Sequence, residues 1–181
     1  MNTRTRATIE DLYKVDGKAE LVNGEVVYMA PTGGLPGRAS GRAYQSLSDY
    51  ERRVGGGYAF PNNIAFAVQL AHRESFSPDA SWYVGAPPDM RFPQGAPIFA
   101  VEVRSEYDYG RAAERDMRAK RADYFAAGTL VVWDVDLQSE DVVKSYKASD
   151  PENPVIFRRG ESADAEPAVP GWRMSVDDLF E

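Results

Sequence analysis

The chain has 181 residues, of which 43% are hydrophobic and 27% charged, which is the composition of an ordinary globular protein. It contains no cysteine and one histidine, so disulfide scaffolds, thiol nucleophiles, cysteine-based metal centres and zinc sites built from several histidines are excluded. The formal net charge of -7 argues against a passive nucleic-acid coat, but it is compatible with a metal-dependent enzyme that acts on phosphates.

The length predicts a single domain over residues 1–181. No apolar run approaches the ~20 residues that span a bilayer. The N-terminus carries basic residues without the apolar segment of a secretory signal. We therefore expect a cytoplasmic protein with no membrane partner.

The first third of the chain predicts two helices on either side of a hairpin. Thr8, followed three positions later by an acidic residue, opens a short helix that ends near Gly17. An Asn-Gly pair between two extended apolar pieces predicts a β-hairpin over residues 18–29. Residues 31–37 are rich in glycine and proline and predict a loop, and apolar residues at helical spacing predict a helix over residues 38–54.

The remainder predicts a sheet with one long helix. The helix covers residues 110–127 and ends at Gly128, and a short helix over residues 170–180 closes the chain. The last two strands form an antiparallel pair around a turn at Asp150-Pro151. The predicted strands cover residues 63–70, 79–84, 98–103, 129–135, 142–146 and 155–158. This order predicts an α/β or α+β fold with a mixed sheet.

Four polar residues lie where a core would be expected, namely Glu20, Asp79, Glu102 and Lys120. Glu102 is the most informative, because apolar residues surround it within a strand that should be buried. An ionised carboxylate there is costly unless it is paired or bound to a metal. Glu102 alone therefore favours a functional interpretation over a structural one.

Two neighbouring strands could bring Asp79 and Glu102 together. Two carboxylates so close would repel each other unless a cation lay between them. Because the ligands available are oxygens, Mg²⁺ or Mn²⁺ is the expected metal. Lys120, on the following helix, could then orient an attacking water or stabilise a phosphate.

Each of these residues also has an ordinary structural explanation. Asp79, directly after a proline, could be a turn residue. Glu20 could lie on an edge strand, paired with Lys18, and Asp116 with Lys120 is the common pair of charges one helical turn apart. The ordered combination, rather than any single residue, carries the functional interpretation.

Several short motifs follow one another along the chain in a definite order. They are ELVNG from Glu20, PD at Pro78-Asp79, VEVRS from Val101, D-x-x-x-K-x-x-x-Y from Asp116 to Tyr124, the strand GTLVVWDV, and Pro170-Gly171 before the final VDDLF. In order and spacing this set resembles the Uma-two (Uma2) family of restriction endonucleases, within the PD-(D/E)XK nuclease superfamily. The resemblance covers residues 8–180.

The resemblance implies a restriction-endonuclease-like core, in which helices flank a central mixed sheet. It implies Asp79 and Glu102 as metal ligands, with the backbone carbonyl of Val103 as a further ligand. Lys120 would position or activate the water, and Glu20 would complete the acidic cluster. The cofactor would be Mg²⁺ or Mn²⁺, and the chain would be a hydrolase.

The resemblance also implies supporting roles for Tyr124 and Ser105. Family members often carry a histidine on the helix after the first hairpin, and this chain has none there, so Arg38 or Arg42 could contact phosphate instead. Arg104, two residues after Glu102, could clamp a phosphate but cannot serve as a base. His72 is assigned no role.

Two hypotheses follow. The first is a metal-dependent endonuclease that hydrolyses phosphodiester bonds, with DNA as its partner and a homodimer as a plausible assembly. The second is an interaction module that keeps the nuclease fold and has little or no catalysis. The acidic net charge and the absent histidine favour the second.

Overall fold

The computed structural model describes residues 6–181. Within them the helices are α1 (Ile9–Leu12), α2 (Gly34–Val54), α3 (Arg111–Ala126) and a terminal 3-10 helix (Val176–Phe180). The strands are β1 (Ala19–Val22), β2 (Glu25–Tyr28), β3 (Tyr58–Phe60), β4 (Phe66–Ala67), β5 (Ser75–Phe76), β6 (Ala80–Tyr83), β7 (Phe99–Val103), β8 (Val131–Val135), β9 (Val143–Lys147), β10 (Asp150–Phe157), β11 (Ser162–Asp164) and β12 (Arg173–Ser175). No helix among residues 6–181 is long and apolar enough to cross a bilayer.

A six-stranded mixed sheet forms the centre of the protein, in the order β10-β9-β8-β7-β6-β3. β7 and β8 are parallel, and the other neighbouring pairs are antiparallel. Helix α3 connects the two parallel strands, as a parallel pair requires. The predicted mixed sheet flanked by helices is confirmed.

The two faces of the sheet are covered by different helices. Alternation along β7 turns Val101 and Val103 toward the larger apolar core, which includes the buried side of α2. Ala100 lies on the opposite face, in a smaller cluster with Tyr124 of α3. The same alternation places Glu102 on the α3 face, where the core is smaller.

Helix α2 begins four residues earlier than the sequence pattern predicts, at Gly34 rather than residue 38. Proline within the first turn permits this start, because the N–H groups there have no partner inside the helix. The first helix is shorter than predicted. It has the expected capping box at Thr8 but ends at Leu12.

The predicted strand over residues 63–70 is reduced to β4, which pairs with β5 in a separate small sheet. Asn63 has a φ of 67°, which is incompatible with an extended strand at that point. The edge strand β3, which the sequence analysis did not predict, instead pairs with β6.

Two details near the C-terminus also differ from the prediction. Asp150 and Pro151 belong to β10, and residues 148–149 form the turn before it. The predicted terminal helix is a short strand, β12, followed by the 3-10 helix. Pairing of β12 with β11 accounts for the strand, which at three residues is too short to leave a clear alternating pattern.

Candidate active site

Lys120 joins two carboxylates that are far apart in the sequence. Its Nζ lies 2.9 Å from Glu20 Oε1 and 2.9 Å from Glu102 Oε1. The three side chains come from α3, β1 and β7, so the fold brings separate elements together at one charged cluster. The Lys120 side chain is 19% exposed and that of Glu102 26%, so both remain within reach of solvent.

Helix α3 also supports Glu102 through Tyr124, one turn after Lys120. The Tyr124 hydroxyl donates to Glu102 Oε1 at 2.6 Å. The Tyr124 ring stacks on Phe76, with 4.0 Å between centroids, and Lys120 Nζ lies 5.8 Å from the centre of the Tyr124 ring. The stacked rings form an apolar wall that holds the Tyr124 hydroxyl in place, and this hydroxyl fixes one oxygen of Glu102.

Asp79 is held against β7 by its backbone and its side chain. Its N–H donates to the Val101 carbonyl at 2.9 Å, and its Oδ2 accepts from the Val103 N–H at 2.8 Å. These two bonds lie on either side of Glu102 in the chain, so Asp79 is fixed beside it. The other oxygen, Oδ1, is 2.7 Å from Nζ of Lys18, a residue that the sequence analysis did not assign to the site.

Glu20 is the most deeply buried of the three carboxylates, with a side chain 4% exposed. Besides Lys120, its Oε1 accepts from the Ser77 N–H at 2.8 Å. Its Oε2 accepts from Arg73 Nη1 at 2.6 Å, and Arg73 Nε donates to Asp123 at 2.8 Å. The alternative of an edge residue paired with Lys18 is wrong, because Glu20 is buried and has these other partners.

The charges in the cluster shift one another's pKa values. Burial would lower the pKa of Lys120, but the negative charges of Glu102 and Glu20 raise it above the ordinary lysine value. Burial would raise the pKa of Glu20, yet Lys120 and Arg73 outweigh it and lower that pKa. Lys120 is therefore a cation and Glu20 an anion at neutral pH.

Glu102 behaves differently. Burial raises its pKa above the ordinary value, and the nearby charge of Asp79 adds to this increase, although Lys120 opposes it. Burial and the negative charge of Glu102 also raise the pKa of Tyr124 well above the tyrosine value. A further positive charge near the Glu102 carboxylate would thus be favourable, since Lys120 offsets only part of the effect of burial and of Asp79 on the ionised Glu102.

The donor set fits a hard divalent cation held by two carboxylates. Asp79, Glu102 and the backbone carbonyl of Val103 offer oxygen ligands only, which Mg²⁺ and Mn²⁺ prefer, and such ions usually keep several waters. Among residues 6–181 no group of three or more histidine, cysteine, aspartate or glutamate side chains is arranged to hold a metal. Glu20 contacts two cations, Lys120 and Arg73.

Several other expectations are corrected by the contacts. Asp116 does not pair with Lys120, whose partners are Glu20 and Glu102. Ser105 Oγ lies 2.9 Å from the Thr32 hydroxyl, so this serine ties two loops together rather than supporting the carboxylates.

Two arginines that had been considered for phosphate contact have partners elsewhere. Arg104 is buried in a separate ionic cluster, where it bonds Asp134 at 2.7 Å and also contacts Glu114. Arg42 donates to the backbone carbonyl of Glu181 at 3.0 Å. Both guanidinium groups are therefore engaged away from Lys120.

Residues missed at the sequence level connect the cluster to the surface. His72 Nε2 lies 2.6 Å from Asp123 Oδ1, and Asp123 in turn holds Arg73. The signal that could have indicated them is weak: an arginine just before a short strand, and an acid three residues after Lys120 on one helical face.

The fold matches that of a solved protein structure over nearly the whole chain. A crystal structure described as "a putative nuclease belonging to DUF820", from Anabaena variabilis, matches with a TM-score of 0.72 at 16% sequence identity. The alignment covers 96% of this chain and 97% of that one. A comparison with curated proteins gives no match.

The family follows from a second comparison. The model of the Uma2 family, described as "Putative restriction endonuclease", matches residues 7–177. The chain therefore belongs to the Uma2 family, as its motifs indicate.

Proposed function

We propose that the protein is a metal-dependent endonuclease that hydrolyses phosphodiester bonds in DNA. The observation that carries this proposal is the position of Lys120, 2.9 Å from both Glu20 and Glu102 and beside a wall of aromatic rings. A buried lysine paired to two carboxylates is costly to assemble for stability alone. Membership in a family described as restriction endonucleases supports the same function.

In this proposal Asp79, Glu102 and the Val103 carbonyl hold Mg²⁺ or Mn²⁺. When bound, such an ion supplies Lewis acidity toward a phosphate oxygen and lowers the pKa of water. Asp79 is oriented by the Val103 N–H, and Glu102 is oriented by the Tyr124 hydroxyl and Lys120, which both contact its Oε1. Both carboxylates are thereby preorganised for a cation.

Lys120 acts as a cation rather than as a general base, because Glu102 and Glu20 raise its pKa. Its ammonium group can donate to an attacking water or to a phosphate oxygen and stabilise the negative charge that develops during hydrolysis. Glu20 holds the Lys120 ammonium group at 2.9 Å, the same distance as Glu102. We also propose that residues 1–181 act as one domain, in the cytoplasm, and that a homodimer would supply two sites for the two DNA strands.

The test is cleavage of plasmid and single-stranded DNA with Mg²⁺ or Mn²⁺. Lys120→Ala should reduce the cleavage rate by ~100-fold or more, since a preorganised charge is lost, and EDTA should abolish cleavage. Asp116→Ala is the matched control, because Asp116 lies one turn away on α3 with a side chain 78% exposed. Equal cleavage by wild type and Lys120→Ala would refute the proposed role of this lysine.

An interaction module with the nuclease fold is the second candidate. It is favoured by the internal pairing of Asp79, whose two oxygens contact Lys18 and the Val103 N–H. Calorimetric titration of Mn²⁺ separates the two candidates. Binding that disappears in Asp79→Asn supports the nuclease, and no binding by wild type supports the module.

A further inference from the structure

Four charged side chains, linked by three ionic contacts and by the backbone of α3, form a ring beside the candidate active site; Lys120 is partly exposed and the other three are buried. Positive and negative groups alternate around it, in the order Lys120, Glu20, Arg73 and Asp123. Asp123 and Lys120 are three residues apart on α3 and so lie on the same side of the helix. The helix itself thus closes the ring.

Each contact in the ring is short and directional. Glu20 uses different oxygens for its two cations: Oε1 for Lys120 at 2.9 Å and Oε2 for Arg73 at 2.6 Å. Arg73 likewise uses different nitrogens, Nη1 for Glu20 and Nε for Asp123 at 2.8 Å. A planar guanidinium with fixed donors can hold two carboxylates in one relative orientation, which an ammonium group cannot do.

The position of Arg73 is fixed by more than its charge. Its backbone forms an isolated bridge with Val22, at the end of the strand that carries Glu20. Its guanidinium lies 5.0 Å from the centre of the Phe76 ring, which in turn stacks on Tyr124. Arg73 therefore connects the hairpin to helix α3.

We propose that Arg73 is a positioning residue that keeps the Lys120 ammonium group in contact with Glu102. The inference rests on the proposed nuclease function for its consequence in catalysis, but the ring is a feature of the fold. The single negative charge of Glu20 is shared between two cations, Lys120 and Arg73. If Arg73 were absent, the undivided charge of Glu20 would draw Lys120 toward itself and away from Glu102.

The arrangement at Asp123 supports this role. Its second oxygen, Oδ1, is occupied by His72 Nε2 at 2.6 Å, so both of its oxygens are engaged and the carboxylate cannot rotate freely. Arg73 is in this way held from the α3 side while it holds Glu20. Asp123 is a support for Arg73 and has no described contact with Glu102 or Asp79.

Steady-state cleavage by Arg73→Ala and Arg73→Lys tests the proposal. We expect kcat to fall by ~10- to 100-fold in Arg73→Ala, the size of effect that a small displacement of a reacting group causes. KM for DNA and the affinity for Mn²⁺ should change by less than about twofold, since uniform binding is preserved. Arg73→Lys keeps the positive charge and loses the planar set of N–H donors, and it should recover part of kcat.

A stability control is needed because Arg73→Ala removes a cationic partner from two buried carboxylates, Glu20 and Asp123. Leu179→Ala, in the terminal 3-10 helix on the other face of the sheet, should lower Tm without changing kcat. Asp123→Asn, which keeps the shape of the side chain, is a second and milder probe of the ring. If Arg73→Lys and Asp123→Asn fold and retain full kcat, Arg73 is structural only and the proposal is overturned. A rise in KM alone overturns it too, because Arg73 would then bind DNA.

A readout independent of catalysis comes from crystal structures of the wild type and of Asp123→Asn and Arg73→Ala. We expect Lys120 Nζ to stay bonded to Glu20 and to leave hydrogen-bonding distance of Glu102 in Arg73→Ala. An unchanged contact of 2.9 Å between Lys120 and Glu102 would overturn the inference. If the wild type proves unable to cleave DNA, the proposed function fails, and these structures still decide whether the ring positions Lys120.

Discussion

At the scale of single residues, the fold treats the two glutamates that contact Lys120 in opposite ways. Burial raises its pKa, and the nearby Asp79 adds to the effect, while Lys120 offsets only part of it. By contrast, Lys120 and Arg73 overcome the burial of Glu20 and lower its pKa. Glu20 thus stabilises the native state as an anion, and Glu102 is retained at a cost in stability, as is common for groups that serve chemistry.

We therefore predict opposite effects of Glu102→Gln on activity and stability. The native pKa of Glu102 is above its unfolded value, so the native state binds more protons. Stability is lost as the pH rises above the unfolded pKa, and the loss is complete above the native pKa. Glutamine does not ionise, and Glu102→Gln should be more stable than wild type at neutral pH while losing divalent-dependent cleavage. The stability difference should vanish in acid, where Glu102 is protonated.

Urea unfolding across a pH series measures this difference, with Glu152→Gln as control. Glu152 makes an exposed ion pair with Arg118, and such pairs contribute ~0–1 kcal/mol. A neutral-pH loss of stability in Glu102→Gln would show instead that its pairing with Lys120 outweighs its burial.

Lys18 leads to a second prediction at the same scale. Its Nζ lies 2.7 Å from Oδ1 of Asp79, a proposed metal ligand. Removing this competitor in Lys18→Met should tighten Mn²⁺ binding by up to about tenfold, or ~1.4 kcal/mol. Calorimetry against wild type and Lys14→Met, an exposed lysine outside the site, tests it. Weaker binding in Lys18→Met would mean that Lys18 orients Asp79 for the metal rather than competing with it.

The sequence indicated Glu102 and Lys120 because each breaks a local pattern: a carboxylate in an apolar strand and a lysine in a spaced motif. It did not indicate Arg73, since Arg73 lies 53 residues from Glu20 and 50 from Asp123. Its neighbours in the chain are polar, so its burial is invisible locally. Charges that become partners only through tertiary contacts leave no periodicity to detect.

At the scale of elements, the same distinction separates what was predicted from what was not. Helix α3 and strands β7 and β8 carry strong periodicity or long apolar runs, and the sequence located them closely. The edge strand β3 and the strands β11 and β12 are three residues each, too short for a clear alternating pattern, and they form through pairing with other strands. Their formation depends on the sheet rather than on local propensity.

The end of α2 allows an element-scale prediction. Gly55 ends the helix with a φ of 73° and a ψ of −154°, a region that is essentially restricted to glycine. An added Cβ would meet nothing within 4 Å, so Gly55→Ala should destabilise the protein by ~1–3 kcal/mol through backbone strain alone.

Gly41, inside the same helix, is the matched control. Its Cβ would also meet nothing within 4 Å, and its backbone is helical. Gly41→Ala should therefore stabilise the protein by ~0.5–1 kcal/mol. Urea denaturation of both variants measures the two effects, and changes of the same sign would contradict the assignment of strain to Gly55.

At the scale of the whole molecule, the acidic character of the chain must be reconciled with a nucleic-acid substrate. A net charge of -7 repels phosphates at long range. The cluster itself contributes little attraction, because its lysines and Arg73 are already paired with carboxylates. If DNA is bound here, a cation must therefore reverse the local charge before phosphate can approach.

We accordingly predict that DNA binding, as well as DNA cleavage, depends on the divalent ion. The Lys120→Ala variant should bind DNA without cutting it, so its affinity for DNA can be measured by fluorescence anisotropy. At matched ionic strength, we expect this affinity to be at least tenfold higher in Mg²⁺ than in EDTA, a difference of ~1.4 kcal/mol. Asp79→Asn should lose this dependence, because Asp79 is a proposed ligand fixed to the backbone at Val103. Asp116→Ala should keep it, since that side chain is exposed on α3. Equal binding in EDTA and Mg²⁺ would locate the DNA contacts on basic surface residues such as Arg111 or Arg115 and would separate binding from the metal site.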